Sequence, residues 1–439
     1  MELKNYNGIL NNLLSKNYIS KYNKKKILIP INEILIVKNI LEHKILSLDK
    51  LDKNSSICLI SSKNSFKALG DKVCQLLNNY KLEYKNIILE NYKSDIFFGD
   101  MIYEKIKDHS QIICVGSGSL IDICKYASNK AKNELIIFCS SLSAAATTNS
   151  VSLTNNGIKT SIKSKIPETI IIDLDNLKKT PMKLIRSSLG DVLCRTTCQV
   201  DWLMSSLLTN TSYDETPFEL QYNDEEELLQ NSKLLETGDI NLLASLSRMT
   251  LLNGIAAIII GSTHAGSMGE HMISHYIDMF MQKNNLKTLH GEQVGVTTIK
   301  MSEIQNYFIN SDTPFQLKKL KIEKDLFLKK FSNKYVDSFY ESYNKKKLNH
   351  DKIKHINKIL INKWDEIKFK LNKHSIKTKQ IKNSLTNIQG YTSNTDLNIS
   401  DDFYNRALKD SFLTRDRFSF LDIMNHTNTF EYFKVTNQI

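Results

Sequence analysis

From about residue 26 to residue 175 the chain alternates short, continuously apolar runs with longer stretches whose apolar positions recur every three or four residues. The runs at 57–61 (ICLIS), 86–90 (NIILE), 111–116 (QIICVG), 134–139 (ELIIFC) and 169–174 (TIIIDL) predict strands. Residues 65–80, 94–109 and 119–130 predict amphipathic helices between the first four. Strands that are apolar throughout and separated by helices form a parallel sheet with helices on both faces. After Pro181 the period-2 runs stop, and helical patterns dominate at 191–208, 224–235, 239–260, 269–281 and 292–309, then in Lys-rich stretches to about 371. A Ser-, Thr- and Asn-rich segment, 373–398, predicts a loop before a terminal helix containing 407–420. The pattern therefore predicts an α/β nucleotide-binding domain over residues 1–184 and an all-α domain over 185–439, with no flexible linker between them.

Composition narrows this picture. The 439 residues include only 15 Gly and 5 Pro, well under average usage of about 7% and 5%, which excludes collagen-like and Pro-rich architectures. Lys and Arg number 59 against 47 Asp and Glu, a net charge of +12 that raises nucleic acid or a membrane surface as a partner. The excess is mostly Lys in runs such as 24–26 and 345–347, with little Arg and no interleaved aromatics, so a solvated surface is the better account and no nucleic-acid partner is expected. The longest apolar run, residues 251–261, is short of the ~20 residues that span a bilayer and predicts a buried core helix without membrane insertion. Seven Cys without paired spacing, and an N-terminus without an apolar signal region, predict a reducing, cytoplasmic location.

Three groups of residues carry candidate chemistry. Gly116-Ser117-Gly118-Ser119 follows a buried strand and opens a helix, where free N–H groups and the helix dipole favour a pyrophosphate. The third glycine of the usual fingerprint is Ile121, and a plain strand-to-helix turn fits the same residues. Four of the ten histidines fall between His264 and His290. His271 and His275 stand i,i+4 on one helix face, a spacing that lets two imidazoles converge on an ion; His290 opens an HGEQ turn, with Glu292 available to orient it. A hydrogen-bonded structural histidine is the simpler account for His264. Asp191, in LGDVLCRTTC, is either a first-turn helix cap or a carboxylate ligand beside the imidazoles, with Arg195 one turn on. Cys194 and Cys198 share that face and are expected to be buried thiols.

Together GSGSLIDICKYAS, TSIKSKIPETIIIDLDNL, SLGDVLCRTTCQVDWL, GEHMISHYIDM and LHGEQVGVTT resemble, in order and spacing, the sn-glycerol-1-phosphate dehydrogenase group of the iron-containing alcohol dehydrogenase and dehydroquinate synthase-like superfamily. RDRFSFLDI, residues 415–423, resembles that group's last helix. The resemblance implies a dehydroquinate synthase-like fold, NAD or NADP, and one divalent metal, usually zinc. It implies Asp191, His271 and His290 as metal ligands, and Gly116, Ser117, Gly118, Ser119, Asp122 and Lys125 at the cofactor loop. Ser143 and Thr147 would line the nicotinamide or substrate pocket, and His275 would relay a proton or hold the substrate. The activity implied is a metal-dependent, NAD(P)-linked interconversion of a phosphorylated secondary alcohol and its ketone, foremost glycerol 1-phosphate and dihydroxyacetone phosphate, with a homo-oligomer as an open possibility. The alternatives are a lyase or cyclase of the dehydroquinate synthase type that uses NAD transiently, and a non-catalytic metal-binding homologue. Two departures motivate the last: Ala occupies the place of an Asp within 139–148, and Thr263-His264 stand near the place of an Arg-Pro pair. At the end of the first predicted strand, Ser62, Lys63 and Asn64 replace the acidic residue that would bind a ribose 2′-hydroxyl, and Lys63 would accept a 2′-phosphate.

Overall fold

The computed structural model describes residues 5–51, 54–155, 158–281 and 288–436. These form two compact units: Met1–Ser188 with Thr216–Ser262, and Leu189–Glu215 with Thr263–Ile439. The division near residue 188 lies close to the expected boundary at 184. Residues 216–262, expected in the helical half, group with the first unit.

The strands are β1 (Glu33–Val37), β2 (Ile57–Ser62), β3 (Tyr84–Leu89), β4 (Gln111–Gly116), β5 (Glu134–Cys139), β6 (Ser150–Asn155), β7 (Ile158–Lys163) and β8 (Thr169–Asp173). The helices needed below are α1 (Asp71–Asn79), α2 (Ile96–Ile106), α3 (Gly118–Ala131), α4 (Met182–Val192), α5 (Arg195–Thr209), α6 (Ile240–Ile260), α7 (Gly269–Phe280), α8 (His290–Ile309), α9 (Asn333–Lys346), α10 (His350–Asn372), α11 (Thr378–Thr386), α12 (Asp401–Asp410) and α13 (Phe420–His426).

Six strands form one parallel sheet in the order β1-β8-β5-β4-β2-β3. Every residue of β4 and β8 is buried, which explains why these strands read as unbroken Ile, Val and Cys runs. On one face Leu59, Ile113, Val115, Phe138 and Ile171 pack with Val73 and Leu76 of α1. The chain runs from β2 outward to β3, then returns to place β4 on the other side of β2. That reversal is the topological switch point of a doubly wound sheet, where the carboxyl ends of neighbouring strands leave a crevice for ligands. The glycine turn follows β4 at this position, so its place as the third βα unit of the sequence is what the strand order requires.

Two features depart from the sequence expectation. Strand β1 and the antiparallel hairpin β6–β7 lie outside the predicted elements, although Asn156-Gly157 between alternating runs is a hairpin signal in the sequence. Helix α6 runs for 21 residues at a mean hydropathy of 1.7, long and apolar enough to cross a membrane, yet 72% of its apolar window is buried within the protein. It packs in the first unit, where Gly254 leaves room for Thr147 and its hydroxyl donates to Leu251 O at 2.7 Å. In the second unit α8 packs on α5, α7 and α11. An aromatic group of Phe280, Phe331, Tyr335 and Phe339 forms part of its core, with Tyr335 stacked on Phe339 at 5.3 Å.

Candidate functional site

The cofactor-loop candidates lie in the first unit. Gly116 ends β4; a Cβ there would stand 2.8 Å from the Leu120 side chain, so glycine lets α3 start directly after the strand. Ser117 is extended (φ −136°, ψ 179°) and caps nothing with its side chain, while its carbonyl accepts from Leu120 N (2.9 Å) and Ile121 N (3.1 Å). The earlier amides of a helix have no intrahelical acceptor, and here they precede 14 residues of aligned dipole. Ser143 stands beside this turn, its Oγ 3.5 Å from where a Gly118 Cβ would be.

Lys125 and Thr147 point elsewhere. The Lys125 ammonium is buried and donates to Ala145 O (2.7 Å), Thr148 O (2.6 Å) and Thr148 Oγ1 (3.0 Å). Burial pushes its pKa down to about 8, although Asp122 opposes the shift. Asp122 Oδ2 accepts from Ser152 N at 3.3 Å. The hydroxyl of Thr147 is spent on α6. These three side chains hold the 144–152 segment in place.

The second group lies wholly in the second unit. Ligand atoms of Asp191, His271 and His290 all fall within 4.8 Å of one another. Asp191 Oδ1 and His271 Nε2 are 3.6 Å apart, about the separation of two ligand atoms that each stand ~2 Å from one ion in tetrahedral geometry. Backbone packing creates this convergence. A Cβ on Gly190 would lie 2.1 Å from Gly291 O and 3.4 Å from Gly295 Cα, so only glycine lets α4 approach α8 and bring Asp191 to His290. His275 joins the cluster from α7, its ring 5.8 Å from His271 and 5.5 Å from His290.

Glu270 orients His271. Its Oε1 accepts from His271 Nδ1 (2.9 Å), Met268 N (2.7 Å) and Cys198 Sγ (3.0 Å), and its Oε2 from Thr197 Oγ1 (3.1 Å). With Nδ1 committed to a carboxylate, the Nε2 lone pair is the one offered to an ion. Burial alone would raise the Glu270 carboxyl, but the bond from His271 and its neighbours hold it at about 2. For His271 burial acts downward, and the hydrogen bonds to Asp191 and Glu270 overcome it, lifting the imidazole to about 10. A proton held between two carboxylates stands where a divalent cation would go, and the donor set of one carboxylate and two imidazoles suits zinc.

Cys194, Cys198 and Glu270 also bring ligand atoms within 4.8 Å of one another. Here the Glu270 oxygens are already filled by four donors, and burial keeps the Cys198 thiol protonated, well above its ordinary pKa. This group supports His271 through hydrogen bonds.

The profile of the iron-containing alcohol dehydrogenase family matches residues 36–181. Glycerol-1-phosphate dehydrogenase [NAD(P)+] of Pyrococcus horikoshii is 27% identical over 274 residues, 62% of this chain and 77% of that protein. The enzyme of the same name from Thermococcus kodakarensis is 31% identical over 203 residues, 45% of this chain and 57% of that one. The chain is thus similar to the iron-containing alcohol dehydrogenase family over residues 36–181, and to glycerol-1-phosphate dehydrogenases over a longer stretch. NADH-dependent butanol dehydrogenase A of Thermotoga maritima shares the fold at a TM-score of 0.57, with 14% identity, 91% of this chain and 93% of that one covered.

Several site expectations change. Asp191 is no first-turn cap: it sits in the last turn of α4, just before a break at 193–194 that the sequence pattern ran together as one helix over 191–208. Glu292 accepts from Leu289 N at 2.7 Å, capping α8; the carboxylates standing against cluster imidazoles include Glu270, adjacent to His271 in sequence and 2.9 Å from its Nδ1, and Asp278, whose Oδ2 is 3.7 Å from His290 Nδ1. His264 packs against Trp202 at 5.6 Å, and burial lowers it to about 4, so it is neutral. Arg415 and Arg417, within the predicted terminal helix, lie instead in the extended connector between the turn after α12 and α13, with Arg415 at φ −141°.

Proposed function

We propose that this protein is an NAD(P)-linked dehydrogenase interconverting a phosphorylated secondary alcohol and its ketone, sn-glycerol 1-phosphate and dihydroxyacetone phosphate first among them. The convergence of Asp191, His271 and His290 carries the proposal, since a family scaffold without a reaction has no physical need to keep three ligand atoms within 4.8 Å. Relatives named glycerol-1-phosphate dehydrogenase [NAD(P)+] support the substrate class. A bound divalent cation, zinc in this proposal, supplies Lewis acidity toward an alcohol or ketone oxygen, and NAD(P) exchanges the hydride.

The chain's own residues do the rest. Asp191, His271 and His290 hold the cation, and Glu270 fixes the tautomer of His271. The turn 116–119 offers amides to the cofactor pyrophosphate, and Ser143 lies at its edge. Exposed Lys63, just past β2 at the switch point, favours a 2′-phosphate and hence NADP(H). His275 receives a hydrogen bond at Nδ1 from Arg415 Nη2 (2.9 Å), and because guanidinium only donates, the proton of a neutral His275 sits on Nε2. That proton is the one available to a substrate alkoxide. Seven free cysteines fit a reducing cytoplasm.

The test is a spectrophotometric assay of NADH and NADPH oxidation by the zinc-reconstituted protein with dihydroxyacetone phosphate and a panel of other keto-phosphates. Turnover with at least one, lost in His271→Ala, is expected; no turnover with any would overturn the proposal.

A further inference from the structure

The segment between Thr414 and Phe420 brings two arginines to the edge of the histidine cluster. Arg415 Nη1 donates to Ser267 Oγ (2.9 Å) and its Nη2 to His275 Nδ1 (2.9 Å). Arg417 binds the 263–267 turn itself, donating to Ser267 O, to Thr263 O (3.3 Å) and to Thr263 Oγ1 (2.5 Å). Neither guanidinium is in an ion pair with a carboxylate among the described residues; Asp416, between them, is exposed.

The connector is anchored along its length. Lys346, in a lysine run that the sequence pattern assigned to solvent, is buried; its ammonium donates to Arg417 O (2.8 Å) and pairs with Asp422 Oδ1 (2.8 Å). Asp422 Oδ2 in turn accepts from Ser419 N (2.9 Å), and Phe420 N donates to buried Asp201 (3.0 Å). Two cations are thus held rigidly, largely out of water and close enough to repel one another. Burial and then the neighbouring Arg417 push the Arg415 guanidinium down to about 9. Such an arrangement is costly by itself and is relieved by an anion.

We propose that Arg415, with Ser267 and His275 beside it and Arg417 holding the turn, is the subsite for the phosphate group of the substrate. Arg415 has five N–H donors and commits two, which leaves a planar edge for a phosphate oxygen pair. Ser267 accepts from Arg415 and so keeps its own hydroxyl proton to donate. The subsite stands one imidazole from the ion cluster: His275 touches Arg415 on one side, and its ring is 5.5 and 5.8 Å from those of His290 and His271. A ketone oxygen at the cluster and a phosphate one C–O–P link from the neighbouring carbon would bridge that spacing. The identity of the ester rests on the function proposed above, whereas the affinity for a phosphate dianion does not.

Calorimetric titration of the zinc-reconstituted full-length protein with inorganic phosphate, at constant ionic strength, tests the subsite directly. Saturable binding is expected, weakened about tenfold to a hundredfold in Arg415→Gln and less in Arg415→Lys, the range for one charge-assisted bidentate contact. Phosphate that fails to bind the native protein, or binds Arg415→Gln equally well, overturns the proposal. Should Arg415→Gln not fold, Ser267→Ala decides: a several-fold loss supports the subsite, and unchanged affinity refutes it. In the enzymatic assay the ratio of kcat/KM for dihydroxyacetone phosphate to that for unphosphorylated dihydroxyacetone should collapse in Arg415→Gln and fall less in Arg415→Lys. Phosphate binding without turnover overturns the dehydrogenase alone; turnover whose phosphate preference ignores Arg415 overturns the subsite alone.

Discussion

As the proposed cofactor and cation sites, the turn after β4 and the cluster of Asp191, His271 and His290 are built in opposite ways. At the turn after β4 the backbone faces the ligand, and the polar side chains nearby are spent on holding that backbone: Lys125 on the carbonyls of Ala145 and Thr148, Thr147 on Leu251. At the cluster the side chains face the ligand, and the backbone serves them through the close approach of Gly190 to Gly291. A lysine or threonine beside a phosphate loop is therefore weak grounds for direct contact. A glycine far from any phosphate can be as necessary to a metal site as its ligands are.

The contrast breaks first at Gly190. In Gly190→Ala the new Cβ would collide with Gly291 O, so α4 and α8 must separate; the cation affinity should fall more than a hundredfold, with a stability loss of about 1–3 kcal/mol from overpacking. Metal content after dialysis and the thermal midpoint measure both, and retention of stoichiometric metal would show that the contact does not set the site. Glu270→Gln removes charge but little volume, and should weaken the cation by about 10–100-fold through the orientation of His271. Competition with a chelator reads this out. Lys125→Met leaves loop carbonyls unpaired at about 1–3 kcal/mol; KM for the nicotinamide cofactor should rise while metal content stays at the native level. Equal damage to both would mean that the two regions are not separable.

The smallest effect concerns acid. His374 accepts from Gln199 Nε2 (3.0 Å) at Nδ1, and burial, helped by Lys373 and Arg195, lowers it from 6.5 to about 4. Between those values the unfolded chain binds a proton that the folded one refuses. Its contribution is complete above about pH 6.5 and is lost as pH falls toward 4. His264 acts in the same direction. Urea midpoints measured across this window should decline, and decline less steeply in His374→Gln.

Much of the architecture was legible locally. Strands β2, β4, β5 and β8 were visible because burial on both faces leaves unbroken apolar runs, whereas β1 and the β6–β7 hairpin lie outside the repeating strand-helix rhythm. The ligand candidates stood out because imidazoles at i,i+4 and a Gly-Asp pair are chemically conspicuous. The break between α4 and α5 was hidden, since Leu193 and Cys194 continue a helical pattern that only packing interrupts. Lys346 shows the limit most clearly: its local context, Lys345 to Lys347, is that of a solvated face, and only the partner Asp422, 76 residues away, makes burial tolerable.

The sequence by itself determined the parallel sheet, the glycine turn at the end of a buried strand and the residue types able to bind a divalent cation. These are properties of periodicity and of side-chain chemistry, which neighbours in the chain suffice to express. The tertiary structure alone decided that β4 lies at the switch point, that Glu270 meets the His271 imidazole while Glu292 caps α8, and that Arg415 reaches His275 across 140 residues. Each of these depends on contacts between segments distant in sequence, whose energies arise only once the helices and strands have packed.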